Sequence, residues 1–364
     1  MPAFLPGSEL SRRFYEEVVR PLLEEHFPSL PHAAAHLGRG SDVLGFDSEM
    51  STDHDWGPSV LIFLRDEDAH LAESIREMLR HHLPHSFCGY PVNFDESPVQ
   101  PGTFGMHMIE DGPVDHQVFP MSPRTFFRMQ LAYDIDHPPD AAEWLTFPSQ
   151  ALLEVTAGAV HHDGIGELTA LRKRLAWYPH DVWLYLLACG WQRIGQEEHL
   201  MPRAGFVGDE LGSAITGSRL VHDVMCLCFL MEKQYAPYPK WFGTAFKQLR
   251  CADQFWPVLW RAQQASTWQE REAALCNAYE LLARMHNALE VTEMLPETIS
   301  AFFGRPFKVI NGGEFAQALV EQVTDPAVRR IASQRLIGSI DQFSDSTDLR
   351  AVASWRPILR RLYQ

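Results

Sequence analysis

Apolar residues recur every three to four positions over residues 8–27, where Leu10, Phe14, Val18 and Leu22 share one side and charges occupy the other, which predicts an amphipathic helix. Ser8 is placed to cap it, and Pro28 and Pro31 close it. The pattern then changes: Ser59-Val60-Leu61-Ile62-Phe63-Leu64 is a short unbroken apolar run, the signature of a buried strand. Helical spacing returns over residues 68–83 through Leu71, Ile75, Met78 and Leu79, and stops at Pro84. Gly89 to Phe94 reads as an edge or a loop, Gln100-Pro101-Gly102 as a turn, and Pro113 to Phe119 alternates as a strand. The expected domains divide at Pro138-Pro139, 1–137 ahead of 138–364, because helical texture without convincing alternation takes over from Pro123.

Within the second region, residues 266–291 predict a long amphipathic helix and residues 314–323 another, with Asp325-Pro326 opening the next. Cys226 and Cys228 stand two apart on an apolar helix and read as core. His161-His162-Asp163-Gly164 reads as a helix-ending turn in preference to a metal cluster. His32 and His36 are four apart, a zinc-compatible spacing that a polar face explains more simply.

With 364 residues, 46% of them hydrophobic, the chain is comfortable for two globular domains. The balance of 31 basic against 47 acidic residues gives 31 − 47 = −16, which makes nucleic acid a less favoured partner. Six cysteines without a Cys-x-x-Cys pair predict free thiols, and the opening residues lack a basic and an apolar signal region. With no uninterrupted apolar run of membrane-spanning length, these features predict a cytoplasmic protein without a membrane partner.

Candidate chemistry concentrates ahead of the first strand. If Asp53 and Asp55 lie on extended backbone, they project to the same side, and two adjacent carboxylates repel unless a cation separates them. Oxygen ligands at that spacing suit Mg²⁺, which takes one or two carboxylates together with substrate phosphates. Gly40-Ser41 offers a turn whose backbone N–H groups can meet phosphate.

Gly40-Ser41 followed by Asp53-x-Asp55 resembles the signature of the DNA polymerase β-type nucleotidyltransferase superfamily. The resemblance implies an α+β fold with an N-terminal mixed sheet, Gly40 and Ser41 on the phosphates, and Asp53 and Asp55 on one or two Mg²⁺ ions. It also implies a third carboxylate, Asp115, completing the metal site or acting as general base, with Asp95 competing for that role.

Residues 155–241, with Gly40 to Trp56 and Gly338 to Asp348, resemble an uncharacterised bacterial and fungal family of nucleotidyltransferase-like proteins with an all-helical C-terminal domain, a likeness that covers most of the chain. Likeness in layout to aminoglycoside and lincosamide nucleotidyltransferases implies that Glu197, Glu198, Asp209 and Glu210 bind the acceptor, and that Arg203, Arg219 and Lys240 grip phosphate. An ion pair or a solvated helix face accounts for each of these singly; only the group is suggestive.

The expected function is Mg²⁺-dependent transfer of a nucleoside monophosphate from an NTP, with ATP as donor, to a hydroxyl of a small-molecule or protein acceptor, releasing pyrophosphate. The alternative is a catalytically inactive nucleotide-binding regulatory or partner-binding module on the same fold. The competition of Asp115 and Asp95 for the third carboxylate, and Trp56-Gly57-Pro58 directly after Asp55, favour that alternative.

Overall fold

The computed structural model describes residues 3–98 and 101–364, so Gln100 of the expected turn lies outside the described residues. The backbone is mixed α/β, a small mixed sheet accompanied by many helices. It divides into two compact units: Met1–Pro138 with Ala151–Ala176, and Pro139–Gln150 with Trp177–Gln364.

The first unit is built on four strands, β1 (His32–His36), β2 (Ser59–Leu64), β3 (Gln117–Met121) and β4 (Ala159–Asp163), in the order β3-β2-β1-β4. β2 and β3 run parallel, with Ser59 opposite Gln117, whereas β1 is antiparallel to both of its neighbours. Alternation along the strands separates two faces. Ala34, Val60, Ile62, Leu64 and Val118 enter one core with Leu10, Phe14, Ile75 and Leu79. That core joins the sheet to the helices α1 (Gly7–Phe14), α2 (Arg20–His26) and α3 (Ala72–His82), and α4 (Pro123–Leu131) follows β3. Full burial of such side chains contributes about 1.5–3 kcal/mol each.

The expected single stripe along residues 8–27 is corrected by a π segment, Tyr15–Val19, between α1 and α2. The wider turn rotates the face by one residue. Burial therefore passes from Leu10 and Phe14 to Tyr15, Val19 and Leu23, leaving Val18 and Leu22 half-buried.

Two further expectations change. His161, His162 and Asp163 belong to β4, where Ala33 opposes Asp163, instead of ending a helix. This strand, two residues at Ser300–Ala301 and two more at Lys308–Val309 mean that residues 138–364 are not all-helical. His32 and His36 lie on the fully buried β1, not on a polar face.

In the second unit, α5 (His180–Glu197) buries 12 of its 18 residues, as an almost uniformly apolar core helix should. Later come α6 (Leu200–Phe206), α7 (Glu210–Met231), α8 (Pro239–Phe246), α9 (Ala252–Gln264), α10 (Trp268–Asn287) and α11 (Gly312–Gln322). Trp191 on α5 stacks on Phe315 of α11 at 4.1 Å between ring centres. A Cβ on Gly195 would stand 2.6 Å from the backbone nitrogen of Gly313, so the close approach of these helices requires glycine there. α7 is long and apolar enough to cross a membrane by length and composition, with 50% of its apolar window buried inside the protein. The core helix of a soluble protein meets the same description.

Candidate functional site

The sheet face opposite the α1–α3 core carries a cavity of about 350 Å³. Ser59 and Leu61 of β2, and Gln117, Phe119 and Met121 of β3, form its floor. Phe126 and Met129 of the helix Pro123–Leu131 close one side, and Phe126 meets Phe63 edge-on at 5.3 Å.

The turn after β1 supplies Gly38, Arg39, Asp42 and Val43 to the wall, on either side of Gly40 and Ser41, which themselves stand outside that lining. Gly40 has φ of 138°, and a Cβ there would lie 2.1 Å from Asp42 Oδ1, so glycine is required for this turn. The turn is closed by the Phe46 N–H donating to the Ser41 carbonyl at 2.8 Å.

The expectation that Asp53 and Asp55 alternate on a strand is corrected. Asp53 ends a short 3-10 turn, Glu49–Asp53, and Asp55 adopts φ of 48° four residues before β2. Asp55 enters the cavity wall and exchanges two hydrogen bonds with Phe104: its N–H donates at 2.7 Å, and its Oδ1 accepts at 2.9 Å. Asp53 is 64% exposed, with Oδ1 3.0 Å from His54 Nδ1.

Asp115 lies two residues before β3, not on it, and its carboxylate is 3.4 Å from Arg80 Nη2. Asp95 sits on a small hairpin, 3.8 Å from His107 Nδ1. Neither lines the cavity; on β3 the lining polar group is Gln117.

Of the two carboxylates expected to hold magnesium, only Asp55 lines the cavity, with its Oδ1 taken by the Phe104 N–H, while Asp53 stands outside that lining. Among the described residues no three His, Cys, Asp or Glu side chains converge as a preformed metal centre.

Sequence reasoning missed two acidic residues here. Asp42 is 5% exposed, with Oδ2 2.9 Å from His36 Nε2. Asp47 Oδ2 accepts from the Gly7 N–H at 2.7 Å and from the Trp56 indole N–H at 3.0 Å, which ties the loop before Asp53 to α1 and to the segment after Asp55. The available signal was density: Asp42, Asp47, Asp53 and Asp55 crowd one apolar-flanked loop.

The acceptor and phosphate candidates of the second unit do not form one site. Glu198 accepts from the N–H groups of Ile310 at 2.7 Å and Gly312 at 3.1 Å, fixing the start of α11, and burial pushes its carboxyl up to about 7. Asp209 caps α7 through the Gly212 N–H at 2.8 Å. Glu210 accepts from the Trp268 N–H at 3.1 Å at the start of α10. These three carboxylates therefore hold helix ends. Glu197 pairs with Arg219. Lys240 lies over the Trp241 ring, 5.1 Å from its centre, and Arg203 is exposed on α6.

Residues 144–242 match a domain of unknown function, DUF4037, a span that contains the stretch 155–241 singled out in the sequence. No curated protein matches the chain significantly. The chain is also similar to the crystal structure of a nucleotidyltransferase-like protein from Exiguobacterium sibiricum 255-15. That likeness has 14% identity, covers 77% of this chain and 75% of the other, and has a TM-score of 0.31, too low to carry an argument.

Proposed function

We propose that the chain is a nucleotidyltransferase that moves a nucleoside monophosphate from ATP or another NTP to an acceptor hydroxyl and releases pyrophosphate. The observation that supports it is that one cavity takes its wall from residues flanking the Gly-Ser turn, Gly38, Arg39 and Asp42, and from Asp55 of the Asp-x-Asp segment. In this reading Asp53 and Asp55 hold magnesium, which supplies charge neutralisation to the triphosphate when bound. Arg39 meets phosphate charge at the cavity wall, and the strained Gly40 turn keeps side chains away from it. Phe119, Met121 and Phe126 give the base an apolar surface and restrict water. Asp115, which stands beside Arg80 and outside the cavity lining, is the candidate base for the acceptor hydroxyl in this reading.

The test is incubation of the full chain with Mg²⁺ and each of four α-labelled NTPs, with cell extract as acceptor pool, beside the Asp53→Ala, Asp55→Ala double variant. Label transfer with pyrophosphate release, lost in the variant, is the expected result. No transfer with any NTP, under conditions where the protein binds one, rejects the enzyme.

Gln117 favours a second reading. An amide lines β3 where the reaction needs a base or metal ligand, which suits a module that binds nucleotide without turning it over. Saturable NTP binding without pyrophosphate is its distinguishing outcome.

A further inference from the structure

The second unit contains a cavity of about 650 Å³, within the range of about 300–1,000 Å³ that small-molecule sites occupy. Arg193 of α5, Arg219, His222 and Asp223 of α7, and Phe242 of α8 line it. Arg350, Asp341 and Asp345 belong to the same wall. Of the residues expected to grip phosphate, Arg203, Arg219 and Lys240, only Arg219 takes part.

Three arginines and His222 therefore stand against three aspartates. The Cys226 sulfur and the Asp223 carboxylate push the His222 ring up to about 10, so it carries charge near neutral pH.

The carboxylates are largely out of reach of an entering molecule. Asp223 is only 5% exposed, with Oδ1 3.0 Å from Arg193 Nε and Oδ2 sealed from solvent. Asp341 Oδ2 accepts from the Ser149 N–H at 2.7 Å, and its Oδ1 stands 3.6 Å from Arg350 Nη1. Only Asp345 is an exposed residue among the three.

The donors are not used up in the same way. A guanidinium carries five N–H groups in a planar fork. Arg219 is 56% exposed and meets Glu197 through Nη2 alone, leaving Nε and Nη1 without a partner among the described residues. Arg193 donates from Nε to Asp223 and from Nη1 to the Gln342 carbonyl at 2.7 Å, and its Nη2 has no partner among the described residues. The half-exposed His222 ring stacks on Phe242, 5.0 Å between ring centres.

A wall with surplus charged donors and occupied or sealed acceptors suits a ligand rich in acceptor oxygens. A phosphate monoester supplies three such oxygens and a charge of about −1.5 to −2 near neutral pH, in a geometry that arginine forks match. Leu227, Leu230, Pro237 and Phe242 offer apolar surface to a carbon frame.

We propose that this cavity binds a small organic phosphate monoester, with its phosphate on Arg219 and Arg193 and its carbon frame on the apolar part of the wall. The site is composed wholly of second-unit residues and does not require nucleotidyl transfer, so nucleotide and magnesium are left out of its test.

The experiment is calorimetric titration of the full chain with phenyl phosphate, beside benzyl alcohol as an uncharged probe and inorganic phosphate as one without a carbon frame. Saturable binding of phenyl phosphate is expected, with both other probes weaker by about tenfold or more. Arg219→Gln should weaken phenyl phosphate binding by about tenfold. Arg39→Gln, on the wall of the first-unit cavity, should leave it unchanged. His222→Gln provides a second variant, because it removes the cationic ring from the wall. Circular dichroism checks the folds. No saturable phenyl phosphate binding, equal affinity for either other probe, wild-type affinity in folded Arg219→Gln, or loss of binding in folded Arg39→Gln overturns the proposal; if Arg219→Gln fails to fold, His222→Gln decides.

Discussion

His36 Nε2 stands 2.9 Å from Asp42 Oδ2, with both side chains 5% exposed, a close buried contact without hydrogen-bond alignment that sets the end of β1 against the turn that follows. Asp42→Ala removes the carboxylate and leaves a buried imidazole nitrogen without it. We expect a loss of about 1–3 kcal/mol in urea unfolding, read as a lower midpoint at unchanged slope. An unchanged midpoint would show that the pair does not contribute to stability.

Glu198 makes stability depend on pH. Its ordinary carboxyl value of 4.5 rises to about 7 in the fold, because burial outweighs the two backbone N–H groups it accepts from. A raised folded value means that the native state holds its proton longer than the unfolded state. This contribution is therefore fully present below about 4.5 and is lost as pH rises through about 7, on the order of 3 kcal/mol at most. Glu198→Gln should flatten this part of the stability profile between pH 4.5 and 7. Unfolding midpoints across that window check it; parallel profiles for both proteins would remove the assignment.

Gly57 and Gly243 should respond oppositely to alanine. Gly57 has φ of 147°, and a Cβ there would stand 2.7 Å from the Phe94 ring and 2.8 Å from Met106 Sδ. Gly57→Ala should cost about 1–3 kcal/mol. Gly243 lies within α8 with open space around its Cβ position, and Gly243→Ala should gain about 0.5–1 kcal/mol. Thermal unfolding of the two variants measures the contrast.

Asp115 and Asp95 can be separated kinetically once label transfer is in hand. If Asp115 is the general base, Asp115→Asn lowers kcat by about 10²–10⁴ with little change in KM for the NTP, while Asp95→Asn leaves kcat near wild type. The reverse pattern would move the role to Asp95. Loss of NTP binding in Asp115→Asn would point to metal or phosphate contact instead.

How much of this was legible in the sequence depended on whether local preference and tertiary demand agreed. Ser59 to Leu64 agreed: β-branched and aromatic residues in a short run gave a strand that is buried over most of its length. His32-Ala33-Ala34-Ala35-His36 disagreed, because alanine favours helix, yet full burial between two strands imposes extension. Ala159 to Asp163 gave no strand alternation, since all five residues are only half-buried at the sheet edge. The Gly-Ser and Asp-x-Asp segments were visible as chemistry, but the turn at Asp55 was not, because positive φ at a non-glycine residue is set by its exchange with Phe104. In the second unit the carboxylates were legible as charges, but their occupation by distant helix ends was not.

β4 reaches the sheet from residues 159–163, after the chain has left the first unit at Pro138 and before it leaves that unit again at Ala176. During synthesis the first 138 residues therefore emerge without the neighbour that protects β1, whose free backbone groups would invite pairing with another chain. Completion of the sheet must wait until Asp163 has been made. A fragment cut at Pro138 should consequently aggregate where one extended through Ala176 stays dispersed, a difference that light scattering of the two purified fragments would resolve.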